Sequence, residues 1–126
     1  MIETKMEFPQ EVNAEITKQD MEAAFQARKD KVAQSSACVI TQVFKRLFPG
    51  AVVVTGCTYV KLQHESGNPV YDLDTVAQAT IRAFDTECHV FSQSPFSQSL
   101  IRGEDVQLES NFILSAMVGR KFKAKW

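Results

Sequence analysis

Ser35-Ser36-Ala37-Cys38-Val39-Ile40-Thr41-Gln42-Val43-Phe44-Lys45-Arg46-Leu47-Phe48-Pro49-Gly50 runs directly into Ala51-Val52-Val53-Val54-Thr55, and this junction decides the fold. Val39, Ile40, Val43, Phe44, Leu47 and Phe48 recur at the spacing of one apolar helical face. Ser35 or Ser36 supplies a cap for the orphan amides at the start. Lys45 and Arg46 sit at the end, where cations suit the helix dipole. Pro49-Gly50 stops the helix. Ala51–Val54 is β-branched and too short for a helix, so it reads as a strand buried on both faces.

Upstream, Glu11-Val12-Asn13-Ala14-Glu15-Ile16-Thr17 alternates polar and apolar residues, the pattern of a half-buried strand. Thr17 with Asp20 three residues later marks the start of a first helix over Lys18 to about Lys29. Met21, Ala24, Phe25 and Arg28 form its stripe. Residues 26–35 offer little to bury and read as a mobile connection. Residues 1–10, punctuated by Pro9, are expected to fray at the start.

Downstream, Thr58–Leu62 and Val70-Tyr71 flank the turn cluster His64–Pro69 and read as a hairpin. Gly56 marks a bulge or turn. Asp72 or Asp74 caps a third helix, with Leu73, Val76, Ala77, Thr80, Ile81 and Phe84 on one face and Gln78, Arg82 and Asp85 opposite. The pattern changes after Thr86. Cys88-His89-Val90-Phe91 is a short apolar run, and Ser92–Ser99 around Pro95 reads as a loop. Leu100-Ile101 and Val106–Glu109 look like strands about a turn at 102–105. Asn111–Val118 reads as the last strand or a short helix. These elements make an α+β fold: a small, mostly antiparallel sheet of about four to six strands, with about two or three helices packed on one face.

Composition narrows the function. The 126 residues make one domain, with a formal charge of −1 and no whole-molecule field for nucleic acid or membrane. No apolar run approaches the ~20 residues of a membrane helix, and Met1–Pro9 lacks the apolar core of a signal peptide. Cys38, Cys57 and Cys88 form no disulfide framework, which points to a reducing, cytoplasmic setting.

The middle of the chain resembles a loose group of small phage and prophage proteins of unknown function. The matching residues are Cys38-Val39-Ile40, Lys45-Arg46, Pro49-Gly50-Ala51-Val52-Val53-Val54, a following hairpin, Ile81-Arg82-Ala83-Phe84-Asp85 and Pro95-Phe96. Residues 36–96 are covered. In that group the residue after the cysteine is often proline, where this chain has Val39. The resemblance implies a phage or mobile-element origin and carries over no catalytic residue. Small phage proteins of this size often bind a host protein, some as defence inhibitors.

Few residues suggest chemistry. Cys38 lies in the first turn of the second helix, where the dipole favours a thiolate, but a Cys–His site also needs a base in reach. His64 and His89 are the histidines available. A zinc site would draw on His64, Cys88 and His89, with Cys57, yet paired ligand spacing is missing. Asp72, Asp74 and Asp85 suit general acid work or Mg²⁺, but the first two are explained as helix caps and the third lies a helix away. Gly50, Gly56, Gly67, Gly103 and Gly119 are isolated and build no phosphate loop.

The local charge anomaly is the end of the chain. Arg120, Lys121, Lys123 and Lys125 are four of the fourteen basic residues, with no acid among them, leaving ten basic against fifteen acidic residues before it. On a strand, Lys121, Lys123 and Lys125 line one face, opposite Phe122 and Trp126. Basic residues beside an aromatic suit single-stranded nucleic acid or an acidic protein groove. Lysines on an edge strand also block aggregation.

The expected function is a non-enzymatic binding protein that inhibits or redirects a host protein complex. Arg120, Lys121, Lys123, Lys125 and Trp126 are its partner-binding candidates, and no catalytic residue, metal or cofactor is assigned. The alternatives are a nucleic-acid-binding accessory protein using the basic tail and a Cys38-dependent enzyme. No membrane partner is expected, and a homodimer, with the first helix swung out, is a further expectation.

Overall fold

β1 and β5 bring the two ends of the chain side by side. In the computed structural model, residues 5–29, 38–93 and 112–126 are described, with 28–29 and 88–93 as backbone only. The described elements are β1 (Glu11–Glu15), α1 (Lys18–Lys29), α2 (Val39–Leu47), β2 (Val52–Thr55), β3 (Tyr59–Gln63), β4 (Val70–Leu73), α3 (Thr75–Gln93), α4 (Phe112–Ser115) and β5 (Lys121–Lys125). The strands form a five-stranded antiparallel sheet in the order β1-β5-β4-β3-β2. The expected α+β architecture is therefore present, with helices against one face of the sheet.

Alternation makes that face. Val12 and Ala14, Phe122 and Ala124, Tyr71 and Leu73, Val60 and Leu62, and Val53 with Thr55 point inward and are buried. Met21 and Ala24 of α1, Val39, Ile40, Val43 and Phe44 of α2, and Ala77, Ile81 and Phe84 of α3 complete the core. Phe44 sits at its centre, with its ring 5.9 Å from Tyr71, 6.2 Å from Phe122 and 6.1 Å from Phe48. Burying such a ring contributes roughly 2–3 kcal/mol.

Since β1 and β2 lie at opposite edges, the chain between them must cross about 19 Å of sheet at the usual strand spacing. The α1–α2 pair makes that crossing and covers the inner face on the way. The start of α1 is a reciprocal cap: Asp20 N–H donates to Thr17 Oγ1 at 3.2 Å, and Thr17 N–H donates to Asp20 Oδ2 at 2.8 Å.

Several expectations change. Helix α2 starts at Val39, and Cys38 is its N-cap without a side-chain cap bond; Ser35 and Ser36 lie outside the described residues. Phe48 caps the other end, its N–H donating to Phe44 O, and stays buried while Leu47 is partly exposed. Gly50 takes φ +94°, a left-handed conformation that reverses the chain into β2.

Strand β2 is not buried on both faces. It is an edge strand, and Val52 is 57% exposed. Leu73 and Asp72 belong to β4, so Asp74 alone caps α3, accepting from Ala77 N–H at 2.8 Å. Helix α3 does not end near Thr86 but continues through Cys88–Phe91 to Gln93. The helical period carries that apolar run as well as a strand would. Of the segment expected as a last strand or short helix, Phe112–Ser115 forms the short helix α4 and 116–118 turn. Of the connection expected over residues 26–35, residues 26–29 belong to α1, and the rest, with the Pro95 loop and the strands expected at 100–109, lies outside the described residues.

The basic end of the chain is β5, an interior strand between β1 and β4 rather than an edge. Gly119, at φ +87°, turns the chain into it while donating to Ile16 O at 2.7 Å.

Candidate interaction face

Lys121, Lys123 and Lys125 project from the outer face of the sheet, away from the helices, because each alternates with a buried neighbour in β5. The register sets what surrounds them. Glu15 lies opposite Lys121, Asn13 opposite Lys123, and Glu11 opposite Lys125. These are the non-hydrogen-bonded pairs of the ladder, since Ile16 N–H donates to Arg120 O and Trp126 N–H to Gln10 O, and such pairs hold side chains closest. Asp72 flanks Lys125 from β4. Lys123 Nζ lies 3.9 Å from Glu11 Oε1. The lysine row is thus interleaved with carboxylates on both sides.

Asp74 anchors the row from beneath. Its Oδ1 caps α3, and its Oδ2 accepts from Lys123 N–H at 2.8 Å, while Asp74 N–H donates to Lys123 O at 3.1 Å. Beyond this point β4 has ended and β5 continues with β1 alone. A groove of about 470 Å³ opens there, with Asn13, Glu15, Lys121 and Lys123 on its rim and Ala14 and Phe122 below.

The other half of the face is less polar. Val52 and Val54 on β2, Tyr59 on β3 and Val70 on β4 surround Lys61, in the register Val54–Lys61–Val70 and Tyr59–Asp72. Val52, Tyr59 and Val70 are all exposed.

Not all five candidate binding residues share this face. Arg120 is half-buried and donates to Thr80 Oγ1 of α3 at 2.9 Å, a tie within the fold. Trp126 follows the inward parity and rests 6.0 Å from the Tyr71 ring, though it stays partly exposed. Only the three lysines are grouped outward. The acidic neighbours were missed from sequence. A usable signal was present: Glu11-Asn13-Glu15 and Lys121-Lys123-Lys125 share one period and opposite charge, as cross-strand pairs do.

The groups considered for chemistry are dispersed. Cys38 is buried at the N-terminus of α2. His64 lies by the other end, near Leu47, Phe48 and Pro49, roughly 15 Å away by helix rise. Its Nδ1 accepts from Ser66 N–H at 3.0 Å within the β3–β4 turn. Cys57 is exposed in the β2–β3 turn. Asp85 lies about three turns along α3 from Asp74. Among the described residues, no group of three His, Cys, Asp or Glu side chains is placed to hold a metal ion. The side chains of Cys88 and His89 fall outside that description. Among the described residues, no helix is long and apolar enough to cross a membrane.

No family model, curated protein or solved structure matches the chain.

Proposed function

We propose that the chain is a non-enzymatic binding protein of phage or mobile-element origin. In this reading it docks a host protein through the outer face of its sheet and inhibits or redirects that protein's complex. The observation that carries the reading is the mixed character of the face. The β5 lysines alternate with Glu11, Glu15 and Asp72, and the row gives way to Tyr59, Val70 and Val54. A protein surface answers such a pattern with apolar contact and complementary charge. A phosphate backbone favours cations without carboxylates between them, so the same interleaving weighs against the nucleic-acid alternative.

The test uses the intact chain, a Lys123→Glu variant and a Tyr59→Ala variant as bait in bacterial lysate with and without nuclease, followed by binding of the purified catch. The expected result is one protein partner bound by the parent chain and lost from both variants. A catch that disappears with nuclease, or that both variants retain, overturns the reading.

A further inference from the structure

We propose that β2 pairs with β2 of a second copy of this chain across a two-fold axis, joining two sheets into one. The proposal begins from the unlike edges of the sheet. The β1 edge carries Glu11 and Glu15. The β2 edge reads Val52-Val53-Val54-Thr55, with no charge and no proline, and its register with β3 is unbroken by a bulge. Edges without such protection are templates for another strand.

Among the described residues, the outward backbone of this edge has no partner. Gly56 N–H donates to Tyr59 O, and Leu62 N–H is turned toward β4, donating to Pro69 O. Val52 and Val54 therefore bond to β3, and the N–H and C=O groups of Val53 and Thr55 point away from the sheet. No described residue hydrogen-bonds them.

A two-fold axis at Val54 places Val53 opposite Thr55 of the second copy, and Thr55 opposite Val53, each pair exchanging two N–H···O bonds. Val54 then meets its own equivalent on the outer face, in a close non-hydrogen-bonded pair. Val52 meets Gly56 of the second copy, which has no side chain. The Tyr59 ring occupies that space, with Cε1 2.5 Å from where a Gly56 Cβ would stand. Val52 is thus set against the Tyr59 ring, and each side chain, 57% and 41% exposed, finds an apolar partner twice per dimer.

The geometry favours a second copy over other pairings. Pairing β1 with β1 sets Glu against Glu, which is repulsive. Pairing β1 with β2 joins unlike edges and propagates into a filament, whereas β2 with β2 closes. A foreign strand finds no charge on β2 to select it, while the chain's own Val52 and Tyr59 are mutually complementary.

Sedimentation velocity across the micromolar range tests this directly. The parent chain is expected to approach twice the 14.1 kDa chain mass, and amide exchange at Val53 and Thr55 should slow at least tenfold with concentration. Val54→Lys and Val54→Glu should each be monomeric, with unchanged circular dichroism, and an equimolar mixture of the two should recover the dimer. Tyr59→Ser, at an exposed side chain, should weaken dimerisation and serves if the Val54 variants fail to fold. A parent chain that stays monomeric, or a dimer that Val54→Lys and Tyr59→Ser leave intact, overturns the proposal. Because Tyr59 and Val54 serve both proposals, host-protein capture is read apart from dimerisation by Lys123→Glu, on β5 and away from the β2 edge.

Discussion

Arg46 of α2 closes a two-point ion pair on Asp20 of α1, with Nε donating to Oδ1 at 3.0 Å and Nη2 to Oδ2 at 3.1 Å. Nη2 also donates to Glu15 O at 2.9 Å. The hydrogen bond to Asp20 holds the Arg46 guanidinium above its ordinary pKa, with the charges of Asp20 and Glu15 adding to it and partial burial opposing. Asp20 is only 2% exposed. Asp20 thus caps α1 and clips it to α2 through Arg46, which in turn ties both to the end of β1.

Arg46→Met should therefore cost about 2 kcal/mol, because a buried carboxylate loses its charged donors. Arg46→Lys should recover only part of the loss, since an ammonium lacks the planar fork. Urea unfolding of Asp20→Ala, Arg46→Met and the double variant should give a double loss smaller than the sum of the singles. Strict additivity would show that the pair is not coupled.

Asp74 should matter more than the lysine it holds. Asp74→Ala removes the α3 cap and an acceptor for Lys123 N–H, at an expected cost of about 2 kcal/mol. Lys123→Ala removes only a long surface ion pair and should cost less than about 0.5 kcal/mol. Thermal unfolding of the two variants compares them directly.

The basic end of the chain should not be separable from the fold. Truncation after Gly119 removes β5 from between β1 and β4, along with Phe122 and Ala124 from the core. Collapse of the near-ultraviolet dichroism is expected. A triple Lys121→Glu, Lys123→Glu, Lys125→Glu variant should stay folded, though destabilised by its acidic neighbours Glu11, Glu15 and Asp72. It is the cleaner test of any role of these lysines.

Alkaline pH should report on Tyr71. Its ring is fully buried, and its hydroxyl donates to Pro9 O at 2.6 Å. Burial raises its pKa above the usual 10. The unfolded chain then releases the proton first, so the associated stability is intact below about pH 10 and declines as pH rises through the folded value. In a Tyr59→Phe background Tyr71 is the sole tyrosine of the chain. Its phenolate absorbance should appear only above the normal range, in step with unfolding. Ionisation near pH 10 in a still-folded chain would contradict the buried placement.

Much of the fold could be read locally. The alternation of Val12, Ala14 and Ile16, the Thr17–Asp20 cap and the His64–Pro69 turn each involve residues close in sequence. The reading failed where two periods fit one run. Leu73 suits the end of a strand as well as the start of a helix, and Cys88–Phe91 suits a helix as well as a strand. At β2 an apolar composition suits two-sided burial and an exposed edge equally, and the strand lies at an edge.

By itself the sequence determined β1, the cap of α1, the apolar face of α2 and the β3–β4 hairpin, because hydrophobic period and capping are local properties. Tertiary structure alone decided that Lys121, Lys123 and Lys125 stand among Glu11, Glu15 and Asp72, and that β2 rather than β5 lies at an edge of the sheet. Both depend on pairing between opposite ends of the chain, Glu11 with Lys125. Strand order is chosen by how the whole inner face closes over Phe44 and its neighbours, and no single segment carries that information.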